Sequence, residues 1–445
     1  ARVEQLALAL RAREVRTYVS HSCLSLEARR AAEEAFAQGS DCVIVATSTL
    51  ELGIDVGDLD RVIQIDAPST VASFLQRIGR TGRRSGSLRN CLFLITREDA
   101  FLQAAALLRL WREGYVEPVT PPPFPLHIFA QQIMALALQE GGISLGDWPR
   151  WLGTPPGLAD ADARDLDAVV DYMVERGMLH SDGGILWIGE EGERRFGYRH
   201  FLDLLSVFAS PPLVQVLYGR QELGEVHQSS FMLKEGRPAV LSLAGRAWRT
   251  KTVDWARRRA YVEPTDEQGR SRWLSAAQPL HYALCRAMLA VLTQDEPPVR
   301  FSQRALAFMR ELRLAFDWAE PGHTFLVADE AGGVRWWTFA GRLANVGLAE
   351  SLREVAPRGK CDNLSIDFGD RFDLVALRSA ITDRVFAAVE TVSLPLDQQF
   401  IAELKFSACL PPEHRESVLA RRYSLTRDLQ DLATQPVVAI HDVGH

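Results

Sequence analysis

Two short apolar runs, Val43–Ala46 and Val62–Ile65, lack the alternation of apolar and polar positions that is typical of a half-exposed strand. Such runs predict strands that are buried on both faces of a parallel sheet. Further strands are predicted over residues 15–19 and 91–95, and helical spacing predicts helices close to residues 25–36 and 98–113. Strands and helices alternate along this part of the chain, which is the pattern of an α/β domain with a parallel sheet.

The pattern changes after residue 115. The run V-E-P-V-T-P-P-P at residues 116–123 predicts an extended linker, because consecutive prolines cannot continue a helix. Three helical stretches then lead to a tight hairpin at the D-G-G of residues 182–184, and this order predicts a winged helix. Short strands separated by turns are predicted at residues 222–227, 239–243, 248–255 and 259–263.

Composition describes an ordinary globular protein. The chain has 445 residues, with 47% hydrophobic and 24% charged positions, enough for about two to four domains. Its formal net charge of -7 argues against a wholly basic nucleic-acid binder, so any nucleic-acid track must be a local stripe. Its six cysteines form no C-x-x-C pair and predict neither a disulfide framework nor a metal site, which fits a reducing cytoplasm. No apolar run reaches the roughly 18 residues of a membrane span.

Candidate chemistry follows the strands, where open α/β sheets place their ligands. The loop after Val62–Ile65 leads into a predicted helix, and spacings of four and three residues would put Gln76, Arg80 and Arg83 on one face of it. Two guanidiniums above the ends of strands suit an anion such as a triphosphate.

Two motifs in this region carry a resemblance to a known family. The run T-S-T-L-E-L-G-I-D at residues 47–55 resembles motif V of superfamily 2 helicases, and Q-R-I-G-R-T-G-R at residues 76–83 resembles their motif VI. The wording is most similar to the large helicase-related (Lhr) family, which couples ATP hydrolysis to translocation along single-stranded DNA. The resemblance is specific between residues 20 and 83 and elsewhere rests on order and local wording.

The resemblance implies roles for individual residues. Arg80 and Arg83 would reach the γ-phosphate of ATP from a second RecA-like lobe, with Arg83 as the arginine finger and Gln76 beside them. Gly53 and Asp55 would help to close the nucleotide site, and Thr47, Ser48 and Thr49 would face the nucleic-acid backbone. The implied fold class is α/β, a partial RecA-like lobe with a parallel sheet, followed by a winged helix and a β-rich α+β C-terminal domain. The corresponding domains are an incomplete second RecA-like lobe (1–115), a linker and winged helix (116–200), and a helicase-associated C-terminal domain (201–445), β-barrel-like to about residue 278 and mixed α/β beyond.

The densest basic cluster lies in the predicted β-rich part. Arg246, Arg249 and Lys251, with arginines at residues 257–259, could track a phosphate backbone, or could belong to a solvated hairpin. The interleaved Trp248 and Trp255 could stack on bases, but we expect both to pack in the barrel core. Trp273 follows the last predicted strand of the barrel, where the family has a tryptophan that stacks on the translocated strand; the wording around it departs from the family's, so stacking and core packing both remain open.

One catalytic element is missing from the sequence. No G-x-x-x-x-G-K-[ST] phosphate-binding loop occurs in it, so ATP and Mg²⁺ would be held mainly by a first RecA-like lobe that the chain lacks. We therefore expect the C-terminal part of a longer helicase that does not hydrolyse ATP alone. The alternative is a non-catalytic nucleic-acid-binding module.

The expected partners follow from the same resemblance. They are single-stranded or tailed duplex DNA, with an RNA–DNA hybrid as a further candidate. No membrane partner is expected, and the chain is expected to be monomeric in isolation.

Two other segments look like metal sites. The run F-L-V-A-D-E-A at residues 325–331 looks like the acidic Mg²⁺-binding segment of helicases. Residues 329–333 have turn composition, so a β-turn is predicted there. His441 and His445 have a spacing of four that could bind a metal on a helix, but a disordered tail is expected.

Overall fold

The protein is known from a computed structural model. It describes residues 2–21, 24–38, 41–47, 59–83, 86–152, 156–158, 161–197, 200–208, 213–231, 239–243, 246–255, 257–265, 267, 279–294, 299–329, 332–357, 359–395, 400–401 and 404–440. The chain forms two compact units, each made of two segments: Ala1–Glu117 with Ser210–Leu312, and Pro118–Ala209 with Arg313–His445. The three domains predicted above, with boundaries at 115/116 and 200/201, stay a prediction.

The first segment of the first unit alternates helices with short strands. Its elements are α1 (Arg2–Arg11), β1 (Thr17–Ser20), α2 (Leu26–Gln38), β2 (Val43–Ala46), β3 (Val62–Ile65), α3 (Val71–Ile78), β4 (Cys91–Leu94) and α4 (Glu98–Arg112). Among the described residues, β1 pairs with β2 and β3 pairs with β4, both in parallel, as two separate sheets. The mixed α/β class is confirmed, and each strand lies where its apolar run predicted it.

The prediction that these strands are buried on both faces is wrong for the β3–β4 pair. Gln64 of β3 and its neighbour Phe93 of β4 face α3 and α4, where Phe74 and Trp111 pack edge to face with ring centroids 5.7 Å apart. The opposite face is exposed, with Ile63 at 55% of its maximal accessibility. Successive side chains of a strand point to opposite faces, and among the described residues helices cover only one face of this two-stranded sheet.

The second unit begins with helices and a small antiparallel sheet. Its elements are α5 (Leu126–Glu140), β5 (Ile143–Ser144), α6 (Trp148–Leu152), α7 (Ala163–Glu175), β6 (Leu179–Asp182), β7 (Ile185–Ile188) and α8 (Glu190–Phe196). The strands are ordered β5-β7-β6, and β6 and β7 form the expected hairpin. Gly183 and Gly184 close its two-residue turn with φ of 55° and 78°, values that glycine adopts without strain.

The chain then returns to the first unit as a five-stranded sheet. Its elements are β8 (Leu213–Tyr218), β9 (Gln221–His227), β10 (Val240–Leu243), β11 (Arg246–Asp254), β12 (Arg259–Pro264), α9 (Tyr282–Thr293) and α10 (Gln303–Ala315), the last of which crosses into the second unit. The sheet order is β10-β11-β12-β8-β9, with only β12 and β8 parallel. Every strand predicted between residues 222 and 263 is present within two residues of its expected bounds.

The last segment completes the second unit. It contains β13 (Thr324–Ala328), β14 (Gly333–Trp337), α11 (Arg342–Ser351), β15 (Lys360–Cys361), β16 (Ser365–Arg371), α12 (Leu374–Ala380), α13 (Pro412–Arg422), α14 (Thr426–Ala433) and β17 (Val437–Ile440). The turn between β13 and β14 is confirmed, because Asp329 accepts the backbone N–H of Gly333 at 2.8 Å. Asp329 is therefore a turn residue. His441 and His445 lie outside the described residues, and no described helix is long and apolar enough to cross a membrane.

Candidate functional site

Helix α3 contains the first three residues of the motif VI-like segment, Gln76 to Ile78. Two side chains hold the first turn of this helix. Thr70 is extended (φ -141°) and its hydroxyl accepts the N–H of Ser73 at 3.1 Å. The carboxylate of Glu117, 46 residues further along the chain, accepts the N–H of Val71 at 2.7 Å and that of Ala72 at 2.9 Å. Three of the N–H groups that a helix start leaves without an intrahelical acceptor are therefore satisfied.

The helix is shorter than predicted. It ends at Ile78, and Gly79 caps it by donating to the carbonyl of Leu75 at 2.9 Å. Gln76 is half-buried within the helix, whereas Arg80 and Arg83 lie beyond it. The prediction that all three occupy one helical face is therefore wrong.

The turn after α3 is fixed by Thr81. This residue is buried, its hydroxyl donates to the carbonyl of Ile78 at 2.9 Å, and the same oxygen accepts the N–H of Asn90 at 3.0 Å. Leu59 donates its N–H to the carbonyl of Arg80 at 2.9 Å. The local bond to Ile78 and the bonds from Leu59 and Asn90 thus fix a turn in place of a further helical turn.

Gly82 completes the turn with a φ of 70°. A Cβ atom there would lie 2.7 Å from the backbone nitrogen of Arg89, closer than real Cβ contacts allow. Both the left-handed backbone and the lack of space therefore require glycine at this position.

The three arginines of the motif are in different environments. Arg77 donates from Nη1 to Oε1 of the buried Gln64 at 2.7 Å, which makes it part of the scaffold. Arg80 is half-buried, and Arg83 is exposed with its Nε donating to the carbonyl of Gly79 at 2.9 Å. Arg80 and Arg83 thus lie at a fixed turn near the surface, where guanidinium groups can bind an oxyanion.

Strand β3 ends in a residue that sequence reasoning missed. Asp66 has a φ of 55°, and its carboxylate accepts the N–H and the hydroxyl of Thr96, each at 2.9 Å. Gln64 donates to the carbonyl of Asp66 at 3.0 Å. The D-A-P wording after an apolar run is a signal for a strand-end turn, but nothing local indicates the Thr96 partner. At the other end of this strand pair, opposite Val62, the Cys91 thiol has its pKa raised to about 11, because burial outweighs the opposing charge of Arg77.

The motif V-like segment is described only at its start. Thr47 is exposed and donates its N–H to the carbonyl of Ser20 at 3.1 Å, at the carboxyl ends of β1 and β2. Beside it, His21 and Glu4 form a buried pair with Nε2 and Oε1 2.6 Å apart. The other four residues proposed from this motif lie outside the described part of the chain: Ser48, Thr49, Gly53 and Asp55.

The basic cluster on β11 is largely neutralised by cross-strand acids. Lys251 pairs with Glu263 at 2.8 Å and Arg249 with Glu267 at 2.6 Å. The hydrogen bond to Glu263 raises the pKa of Lys251 above its usual range, and the same bond lowers the pKa of Glu263. Arg246 is exposed at the start of the strand. Only part of the predicted stripe thus presents net positive charge.

The two tryptophans of the cluster have different environments. Trp248 is 4% exposed, and its Nε1 donates to the carbonyl of Leu243 at 2.8 Å, so its core packing is confirmed. Trp255 is 51% exposed at the end of β11, beside Phe231, so the expectation that it packs in the core is wrong. Trp273 lies outside the described residues. In the described ranges, no group of three or more His, Cys, Asp or Glu side chains could hold a metal ion.

Comparison with known proteins shows that the chain is similar in sequence to helicases. Residues 1–85 match the helicase conserved C-terminal domain. The chain is 36% identical over 156 residues to the Lhr helicase/uracil glycosylase of Escherichia coli, a match that covers 35% of this chain and 10% of that protein. It is 37% identical over 120 residues to an Lhr helicase/probable uracil glycosylase of Mycolicibacterium smegmatis, covering 27% of this chain and 8% of the relative.

The fold has a counterpart among solved structures. The Mycobacterium smegmatis helicase Lhr, bound to ssDNA and AMP-PNP, superposes with a TM-score of 0.66 at 18% identity, over 99% of this chain and 64% of that one. The domain match places α1 to α3 and the turn that follows α3 in a helicase conserved C-terminal domain. Over these matched regions the chain is similar in sequence to Lhr helicases, and the matches span about a tenth of the length of the curated relatives above.

Proposed function

We propose that this chain supplies the arginine side of the nucleotide site and part of the DNA channel of an ATP-dependent DNA translocase. The observation that carries the proposal is the turn at residues 79–83. There the buried Thr81 and the sterically required Gly82 fix the backbone between the half-buried Arg80 and the exposed Arg83. A rigid turn of this kind can present guanidinium groups to a phosphate with little reorganisation.

ATP and Mg²⁺ are the proposed cofactors. On this chain, Arg80 and Arg83 would bind the γ-phosphate with Gln76 beside them, and Gly53 and Asp55 would close the site. The sequence contains no G-x-x-x-x-G-K-[ST] loop, so the β- and γ-phosphates and Mg²⁺ would be held mainly by a first RecA-like lobe. ATP hydrolysis would supply the free energy for movement along DNA. An arginine finger contributes about 10³ to 10⁵ in rate to such a reaction.

The DNA side of the proposal uses the ends of β1 and β2 and the face of β11. Thr47, Ser48 and Thr49 would contact the nucleic-acid backbone, and Arg246, Arg249 and Lys251 would lie along its path. Trp273 would stack on a base, and the exposed Trp255 is a further stacking candidate. The proposed partner is single-stranded or tailed duplex DNA, with an RNA–DNA hybrid as a further candidate, bound by a monomer.

The domain roles are proposed on the same basis. The order α5-β5-α6-α7-β6-β7 is that of a winged helix, and we assign it to bracing the RecA-like lobes rather than to reading sequence. The sheet from β8 to β12 would form the channel wall as the barrel-like part of the C-terminal domain.

The proposal is tested by hydrolysis with and without Arg83. The chain is fused to a first RecA-like lobe that carries a phosphate-binding loop, and DNA-stimulated ATP hydrolysis is measured. Arg83→Ala should lower kcat by about 10³ or more and leave ssDNA affinity unchanged. The control is Arg97→Ala, which removes an exposed guanidinium paired with Asp99 at 3.0 Å and should change neither quantity.

A second candidate function is a nucleic-acid-binding module without catalysis. The exposed Trp255 and Arg246 favour it, because they could bind single-stranded nucleic acid without a nucleotide. In that case ssDNA binding would be indifferent to ATP, and no hydrolysis would appear when the first lobe is supplied. Full hydrolysis by Arg83→Ala would exclude the arginine-finger role.

A further inference from the structure

We propose that Glu117 is a positioning residue for the arginine turn at residues 79–83, and that it ties this turn to the linker that follows. The inference rests on the proposed function, since it concerns how Arg80 and Arg83 are held. Glu117 is the last residue of the segment Ala1–Glu117 of the first compact unit and directly precedes Pro118. The bonds at α3 thus come from the residue at which the chain leaves this unit.

The contact is specific in its geometry. Both carboxylate oxygens are used, one on the N–H of Val71 at 2.7 Å and one on the N–H of Ala72 at 2.9 Å. A carboxylate at a helix N-terminus also interacts favourably with the helix dipole. Glu117 is half-buried, so these bonds are partly shielded from competing water.

Helix α3 connects this contact directly to the arginine turn. It has only eight residues, and its C-terminal residue Ile78 accepts the hydrogen bond from the hydroxyl of Thr81 at 2.9 Å. At 1.5 Å per residue its eight residues form one continuous stretch of about 12 Å between Glu117 and the turn. A shift at Val71 is therefore transmitted to Arg80 and Arg83.

The segment that carries Glu117 is anchored a second time. The hydroxyl of Tyr115 lies 3.3 Å from Nδ1 of His281, and the same nitrogen accepts the N–H of Ala283 at the start of α9. Residues 115–117 thus contact the start of α3 through Glu117 and the start of α9 through Tyr115. One helix leads to the arginine turn, and the other follows the segment that contains Trp273.

A simple stabilising cap and a positioning residue make different predictions. A cap that only stabilises α3 lowers the melting temperature when removed and leaves kcat unchanged well below that temperature. A positioning residue changes kcat while the fold and the ATP KM are kept, because the misplaced guanidiniums act mainly in the transition state.

The test uses the chain fused to a P-loop-bearing first lobe. Glu117→Gln should lower kcat for DNA-stimulated ATP hydrolysis about tenfold, with ATP KM changed less than about twofold and the melting temperature nearly kept. Glu117→Asp retains the charge but is one methylene shorter, so it should fall between Gln and wild type. The control is Glu113→Gln, a few residues before Glu117, where Glu113 pairs with Arg109 at 2.9 Å; it should behave as wild type.

Hydrogen exchange provides a readout of the contact itself. The amides of Val71 and Ala72 should exchange faster in Glu117→Gln and not in Glu113→Gln. Wild-type kcat in both Glu117 variants would overturn the inference, and if Arg83→Ala still lowers hydrolysis in the same assay, the proposed function stands without it. If Arg83→Ala leaves hydrolysis intact, the proposed function fails and the inference fails with it.

Discussion

Arg77 and Gln64 are joined by a hydrogen bond of 2.7 Å that links helix α3 to strand β3. Gln64 is buried, and its Nε2 also donates to the carbonyls of Ile65 and Asp66. A single side chain therefore holds the helix, the strand and the left-handed Asp66. Of the arginines in the motif, Arg77 supports the structure, while Arg80 and Arg83 are the candidates for phosphate.

Removing the Gln64 side-chain amide should destabilise the first unit. Gln64→Leu keeps a similar volume but leaves the Arg77 guanidinium and two backbone carbonyls without this partner, which should cost about 2 to 4 kcal/mol. Urea denaturation measures the loss. Gln5→Leu on the exposed face of α1 is the control and should change the free energy of unfolding by less than about 0.5 kcal/mol. Equal effects of the two variants would contradict the role given to Gln64.

Two glycines of the arginine region allow space and backbone strain to be separated. Gly82 and Gly86 both have positive φ, 70° and 82°, but a Cβ at Gly86 meets nothing within 4 Å whereas one at Gly82 meets the Arg89 nitrogen at 2.7 Å. Gly86→Ala should cost only the conformational strain, about 1 kcal/mol. Gly82→Ala should cost more and should also lower ATP hydrolysis in the fused protein, because the turn that holds Arg83 must open. Similar stability and activity in the two variants would show that the turn tolerates displacement.

The second unit should lose stability as the pH falls from 6.5 towards 4. His127 on α5 is buried, and its pKa is lowered to about 4, first by burial and then by the charge of Arg422. In the unfolded chain His127 takes up a proton near pH 6.5, whereas in the folded chain it does so only near pH 4. The free energy of unfolding is therefore highest above pH 6.5 and falls as the pH is lowered from 6.5 to 4. At pH 5 the loss should be about 2 kcal/mol.

This pH dependence is measured by urea denaturation at pH 7 and pH 5. His127→Leu should remove about 2 kcal/mol of the difference between the two pH values, because the titrating group is gone. Gln132→Leu, a change of a non-titrating side chain at an exposed position on α5, should leave the difference unchanged. An unaltered difference in the His127 variant would mean that this histidine is protonated in the folded protein.

Removing an acid from β12 should strengthen DNA binding. Glu263 pairs with Lys251 at 2.8 Å and lies 3.8 Å from Arg249, so Glu263→Gln releases positive charge on the face of β11. Affinity for ssDNA, followed by fluorescence anisotropy, should rise severalfold, and the dependence of log K on log salt should steepen by about 1. Glu222→Gln in the same sheet is the control, since Glu222 bonds only to Gln215 in the described residues. No gain in affinity would place the DNA path away from Arg249 and Lys251.

Local patterns were sufficient to predict most elements of the fold. The apolar runs predicted β1 to β4, and the D-G-G turn predicted the β6–β7 hairpin. The turn composition of residues 329–333 correctly favoured a turn at Asp329 over an acidic metal site. In each case the signal and the structure involve the same few residues. The similarity to Lhr helicases could also be predicted from the sequence, because each motif that carries it is a short contiguous run of residues.

The predictions that failed depended on partners distant in sequence. The helix was extended past Ile78 because the bonds that end it come from Leu59 and Asn90. The pairing of Arg249 with Glu263 likewise had no local signal, because it appears only once the β11–β12 register is known; the nucleic-acid role of this cluster stays a prediction. Trp255 and Trp248 have similar sequence surroundings, yet only Trp248 faces the core. The Glu117 contact spans 46 residues and had no local signal.

The environment of Cys91 bears on how the arginine site responds to oxidants. With its pKa near 11, the thiol is ionised in only roughly one molecule in several thousand at pH 7.5, and thiolate is the species that peroxide and alkylating reagents attack. Although Cys91 lies on β4, two residues before the Phe93 that pairs with Gln64, its thiol is poorly suited to act as a redox sensor. The Arg77–Gln64 support should therefore persist under oxidative stress and during maleimide labelling of more accessible thiols.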